Sequence, residues 1–238
     1  RLKEVSSDLI FADSTGLELS GEKFLTASIL FKDLLKKELN TQNVGLLLPS
    51  TAAGAFINYS ILLMGKTAVN LNYTSEMESI KQSIYSAQIK SVITSRKFVE
   101  KLELKGINIK EFFDLVEIIY LEDLKEKIPK RKSLLTFLSV KFLPSFILKF
   151  IHLTKTNKND TVLILFSSGS EGKPKGVELT GDNILGNAQQ IANIINVNDD
   201  DIMLGTLPLF HAFGIVVTTY LPLIEGIKCV AHPDPTDG

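Results

Sequence analysis

The sequence predicts an α/β protein built of layered, largely parallel sheets with flanking helices. Short apolar, β-branched runs of strand length alternate with longer segments of helical period, the pattern of repeated βαβ units. A run of glycine, hydroxyl and lysine residues from 167 to 176 directly follows one of these apolar runs. Composition agrees: 238 residues, 45% hydrophobic and 22% charged, suffice for one large domain or two small ones with a core that needs no staples.

In chain order, the strands are expected at 44–48, 68–71, 91–94, 116–121, 161–166, 202–206 and 228–231. Between the first two, residues 51–64 read as a buried helix that Gly65 stops in a left-handed C-cap. Ser75 followed by Glu78 has capping-box spacing and opens a helix running to about Ala87. After Gly181, Ile184, Ala188, Ile191 and Ile195 mark one apolar helix face. The segment near 123–155 departs from the alternation. Lys125, Lys127, Lys130, Arg131 and Lys132 precede a Leu/Phe/Ile-rich stretch, 134–153, broken by Lys141, Pro144 and Lys149. Two readings stand for it: a helical insertion packed on its own domain and kinked or divided at Pro144, or a basic-apolar surface for peripheral membrane contact through 130–153.

Lys+Arg 26 against Asp+Glu 27 gives a net charge of −1, without the basic surface that nucleic-acid binders need, so no nucleic-acid partner is expected. Cys229, the single cysteine, has no partner for an intramolecular disulfide and no basic neighbour to make it a thiolate. It reads as a packed core thiol in a reducing, cytoplasmic setting. Three histidines and one cysteine offer no zinc-type spacing, and no run of about eighteen uncharged apolar residues supports a membrane span. The opening Arg1-Leu2-Lys3-Glu4 is expected to be an excision boundary of a longer protein.

The chemistry is concentrated in Ser167-Ser168-Gly169-Ser170-Glu171-Gly172-Lys173-Pro174-Lys175-Gly176. Glycines permit positive φ and close backbone approach, so successive N–H groups can form an anion nest, and the serine hydroxyls add neutral donors. Lys175 supplies a point charge for polyphosphate, or holds the loop against a carboxylate. The spacing is neither that of a Walker A loop nor that of a dinucleotide fingerprint, and a plain polar turn remains the alternative.

The complete string through Val177 resembles the phosphate-binding signature of the adenylate-forming (AMP-binding) superfamily of acyl-CoA synthetases, luciferases and peptide-synthetase adenylation domains. Leu19-Ser20-Gly21-Glu22-Lys23-Phe24-Leu25 and the stretch Leu62 to Asn72 look like its earlier motifs. Leu207-Pro208-Leu209-Phe210-His211-Ala212-Phe213-Gly214 is similar to the motif that lines its acyl and nucleotide site. The fold implied is therefore a partial N-terminal large domain of an acyl-CoA-synthetase-like fold, 1–238, with the basic-apolar insertion inside it. The later motifs and the C-terminal lid domain have no counterpart here, and the fragment alone is expected to be inactive.

The resemblance implies ATP-dependent conversion of a carboxylic acid to its acyl-adenylate, followed by transfer to a phosphopantetheine thiol. Phe210-His211-Ala212-Phe213 lacks the acidic residue with which peptide-synthetase domains hold an amino group, so a fatty acid is the expected substrate. The details are similar to the bacterial subfamily that joins acyl-acyl-carrier-protein synthetase to 2-acylglycerophosphoethanolamine acyltransferase. That likeness implies acyl carrier protein or coenzyme A as partner, and a location at the cytoplasmic face of the inner membrane. ATP and Mg²⁺ are the implied cofactors. Ser167, Ser168, Gly169, Ser170, Glu171, Gly172, Lys173, Lys175 and Gly176 would form the phosphate cradle, with Glu171 acting through the metal. His211 and Lys175 are the implied catalytic residues, and Phe210, His211 and Gly214 the implied substrate contacts. For His211 a hydrogen-bonded structural role is the alternative. Two other classes remain open: a nucleotide- or acyl-binding module without turnover, and a membrane-docking module.

Overall fold

The structure, a computed structural model, describes residues 2–157, 159–167, 173–196, 198 and 200–233. The chain opens with β1 (Leu9–Asp13) and β2 (Glu18–Ser20), which pair antiparallel. Then α1 (Gly21–Glu38) starts where the Ser20 side chain accepts from the Lys23 amide. Next come β3 (Asn43–Leu46), α2 (Ala52–Leu63), β4 (Thr67–Asn70), α3 (Met77–Ser86), β5 (Ser91–Thr94) and α4 (Arg96–Leu104). A 3₁₀ turn, Ile109–Leu115, leads to β6 (Glu117–Tyr120) and then α5 (Leu121–Glu126), α6 (Lys130–Phe142) and α7 (Ser145–His152). The hairpin β7 (Thr161–Ser167) and β8 (Lys175–Thr180) precedes α8 (Gly181–Ile195) and β9 (Ile202–Gly205). A wide π-helical segment, Phe213–Tyr220, runs into α9 (Leu221–Glu225) and β10 (Lys228–Ala231).

The strands form two sheets, of order β6-β5-β3-β4-β7-β8 and β2-β1-β10-β9. Every pairing is parallel except those of the edge strands β2 and β8. The larger sheet is covered on both faces, so its inner strands are buried from end to end: all residues of β4 and β5 are buried, the polar Thr67, Asn70, Ser91 and Thr94 included. One core cluster unites α1, α2 and both sheets through Phe11, Phe24, Leu46 and Ile57. A second, built on Val69, Val92, Phe98 and Phe112, lies under α3 and α4.

Local sequence explains the turns between these elements. Thr51 caps α2 by accepting from the Gly54 amide, and Gly65 follows its end at φ +68, the left-handed conformation that the sequence requires there. The start of α3 differs from expectation. The N-cap is Glu76 and makes no side-chain capping bond. Ser75 sits instead in a turn organised by Asn72, whose Oδ1 accepts from the Thr74 amide (3.0 Å) and hydroxyl (2.7 Å). The true capping box is at α8, where Thr180 and Asn183 reciprocate.

Pro144 divides the basic-apolar segment into α6 and α7, of which it is the N-cap residue. α6 packs on α1. Lys132 pairs with Asp33 at 3.0 Å, Lys127 pairs with Glu38 at 2.8 Å, and Lys3 donates to the Val140 and Lys141 carbonyls at the end of α6. Cys229 is buried in β10, and its thiol donates to the Thr218 carbonyl at 3.0 Å.

Candidate nucleotide and acid site

The glycine-rich stretch joins two antiparallel strands rather than a strand to a helix. Ser167 ends β7 and pairs in register with Lys175, the first residue of β8, whose carbonyl accepts from the Ser167 hydroxyl at 3.5 Å. Helix α8 begins only after β8, at Gly181, so its N-terminus lies at the opposite end of that strand from Lys175. Ser167, Lys173 and Lys175, the residues of the expected cradle whose side chains are described and can donate, are all exposed. Ser168, Gly169, Ser170, Glu171 and Gly172 lie outside the described residues. Gly176 pairs with Phe166 and lies against its ring.

Beside the hairpin is a polar cavity of about 400 Å³, lined by Asn72, Thr74, Ser75, Ser79, Ser167 and Pro174 among others. Its wall is the β4–α3 turn and the first turns of α3. Serines at 75, 79 and 83 recur every four residues and line one side of it, a spacing visible in the sequence whose role only the fold reveals. Across the same turn is a second cavity of about 450 Å³, lined by Leu48, Tyr73, Thr74, Phe98, Leu102 and Leu121 with other residues. Its apolar floor carries one cationic wall: Lys97, Lys101 and Lys105 recur every four residues along α4 and its cap. Thr74 lines both cavities.

The 207–214 motif joins these parts. Phe210 is 5% exposed and packs edge-on against Tyr73, with ring centroids 4.9 Å apart, while Tyr73 stacks edge-on against Phe98 at 5.1 Å. Phe210 shares a core cluster with Ile164 and Phe166 of β7, so the motif is fixed to the strand that carries the hairpin. The rings of His211 and Phe213 are exposed; that of His211 lies 4.8 Å from Phe210, and the His211 amide donates to the Pro208 carbonyl. Gly214 is buried, and its α-carbon abuts the Pro208 and Leu207 carbonyls. Ser50 donates to the Leu207 carbonyl at 2.6 Å and pins the motif to the β3–α2 loop. Among the described residues, no cluster of three His, Cys, Asp or Glu side chains is placed to hold a metal ion.

This fold is shared with solved enzymes. The o-succinylbenzoate coenzyme A synthetase (MenE) of Bacillus subtilis, in complex with ATP and magnesium ion, superposes with a TM-score of 0.76 at 18% identity, covering 99% of this chain and 57% of that one. Fold and sheet arrangement therefore define the class as the N-terminal domain of acyl-CoA-synthetase-like proteins. Residues 33–237 match the family described as AMP-binding enzyme, and the chain belongs to that family. A probable 4-coumarate–CoA ligase 3 of Dictyostelium discoideum is 28% identical over 205 residues, 80% of this chain and 36% of its own length. The long-chain-fatty-acid–CoA ligase of Bacillus subtilis (strain 168) is 25% identical over 258 residues, 95% of this chain and 45% of its own. The chain thus spans less than half the length of these two relatives.

Proposed function

We propose that this chain carries the nucleotide-phosphate and acid-binding part of an enzyme that activates a fatty acid with ATP and passes the acyl group to a phosphopantetheine thiol. The supporting observation is the pair of cavities on either side of Thr74, one polar beside the glycine-rich hairpin and one apolar with a lysine wall. An acid with a long apolar tail suits the apolar cavity, and Lys97, Lys101 and Lys105 attract its carboxylate. The hydroxyls of Ser167, Ser75 and Ser79, with Lys173 and Lys175, suit a polyphosphate in the other.

In the first step a carboxylate oxygen bonds to the α-phosphorus of ATP and the bond to pyrophosphate breaks. In the second, the thiol sulfur bonds to the acyl carbon, AMP leaves, and the thiol proton passes to solvent. This chain's residues align the reactants and stabilise charge. Lys175 neutralises phosphate oxygens as the leaving group departs. His211, held by the buried Phe210, reaches the reacting carboxylate and phosphate. Magnesium, when bound with the nucleotide, supplies the charge neutralisation that lets a carboxylate such as Glu171 lie beside phosphate. The relatives' names favour coenzyme A as the thiol; acyl carrier protein and a fused acyltransferase rest on the sequence motifs alone. Because the chain spans less than half of its relatives, a binding module without turnover is the second reading.

Fatty-acid-dependent ATP–pyrophosphate exchange tests this, measured on this chain and on any longer natural form carrying it. Exchange that falls about 10²-fold in Lys175→Ala supports the assignment. Binding of an ATP analogue without exchange in either form supports the module reading. Exchange that Lys175→Ala leaves unchanged overturns the role given to that lysine.

A further inference from the structure

We infer that the outer face of α6 and α7 docks on the surface of an anionic phospholipid bilayer. The inference is independent of which acid or thiol the enzyme uses. Between Glu126 and Asp160 the sequence holds eight Lys or Arg residues and no carboxylate, within a chain whose net charge is −1. Positive charge is thus segregated into one segment, complementary to an anionic surface.

The structure shows how that segment is turned. Its inner side is tied to the body by the buried Thr136, Val140 and Leu148, by the Lys132–Asp33 pair, and by Lys32 donating to the His152 carbonyl. That leaves the larger apolar side chains facing out. Phe142 is 72% exposed, Phe146 71% and Phe150 90%, with Leu134, Leu135 and Ile151 more than half exposed. Lys130, Arg131, Lys141 and Lys149 are interleaved with them, exposed and in no ion pair among the described residues. A face that packed onto protein would bury the phenylalanines and pair the cations. One that lies at a headgroup boundary immerses the rings and sets the cations among phosphates. Neither helix is long or apolar enough to cross a bilayer, so the contact is in the plane of the surface.

Flotation of the full chain with vesicles tests the inference, using phosphatidylcholine alone or with phosphatidylglycerol as about a third of the lipid. Binding to the anionic vesicles is expected, weakened about tenfold or more by raising salt to about 0.5 M. The double variant Phe146→Ser/Phe150→Ser should float at least about tenfold less, and Lys141→Glu or Lys149→Glu about fivefold less each. Leu104→Ser, equally exposed on α4, should float as the parent does, and circular-dichroism melting confirms that each variant is folded. Equal binding of parent and phenylalanine variants, no binding to anionic vesicles, or equal binding to neutral ones overturns the inference. So does a solution dimer that the phenylalanine variants dissociate in the absence of vesicle binding, which would assign the face to a second copy.

Discussion

Asp13 Oδ2 accepts the Ala52 amide at 2.7 Å, which ties the end of β1 in the smaller sheet to the first turn of α2. Its other oxygen, Oδ1, accepts from the Thr15 amide at 2.9 Å and the Thr15 hydroxyl at 2.5 Å. The carboxylate lies at a helix N-terminus, where the orphan amides and the dipole both favour negative charge, and it borders the apolar cavity. Asp13→Ala leaves a buried amide without its acceptor and should cost about 1–3 kcal/mol. Asp13→Asn keeps one oxygen acceptor and should cost less. Urea midpoints of the two variants check this, and an unchanged midpoint in Asp13→Ala would refute the carboxylate as the strut between β1 and α2.

How much of this was legible in the sequence followed from burial. The inner strands β3, β4, β5 and β7 are visible because most of their residues are buried and each holds a short apolar, β-branched stretch such as Val92-Ile93 or Val162 to Phe166. β8 escaped because it is an edge strand with its first four residues exposed, so Lys175 and Gly176 read as loop. β1 and β2 escaped because they are short and their register shifts between Leu9 and Phe11. Of α1, the Leu19 to Leu25 motif marks only the first turn or so. The Phe210-His211 motif was legible, but its division into a buried and an exposed ring was not, since that depends on Tyr73, far away in the chain. The Ser75, Ser79 and Ser83 wall is long-range in the same sense: it has meaning only beside Ser167.

Gly214 and Gly186 should respond oppositely to the same change. A Cβ at Gly214 would lie 2.1 Å from the Pro208 carbonyl oxygen and 2.9 Å from that of Leu207, so backbone must shift. Gly214→Ala should destabilise by about 1–3 kcal/mol and displace His211. Gly186, inside α8, meets nothing within 4 Å, so Gly186→Ala should stabilise by about 1 kcal/mol through helix propensity. Thermal melts of both variants decide it; equal shifts in one direction would contradict the close approach at Gly214.

Phe210 and His211 are neighbours with separable roles. Phe210→Ala empties a buried site between Tyr73 and the β7 residues and should cost about 3–5 kcal/mol. His211→Ala removes an exposed ring and should leave the melting temperature nearly unchanged while lowering pyrophosphate exchange about 10²-fold. Comparing stability with exchange in the two variants separates positioning from contact. A His211→Ala protein that melts early yet exchanges normally would return that histidine to a structural role.

Cys229 gives the chain a pH dependence whose sign is fixed by burial. Desolvation pushes its thiol from 9.0 up to about 12, and the thiol hydrogen is already engaged by the Thr218 carbonyl. Below about pH 8 both folded and unfolded chains hold the proton, and the group adds no pH dependence. Above that, the unfolded chain loses its proton first and binds fewer than the folded one, so this contribution to stability declines as pH rises towards 12. Denaturation midpoints of the parent and Cys229→Ala, compared from pH 7.5 to 10.5, should therefore draw together as pH increases. Reaction with a thiol reagent at pH 8 should proceed only as fast as the chain opens. A midpoint difference that stays constant with pH, or labelling as rapid as that of an unfolded thiol, would show that the β10 thiol is not held in the core.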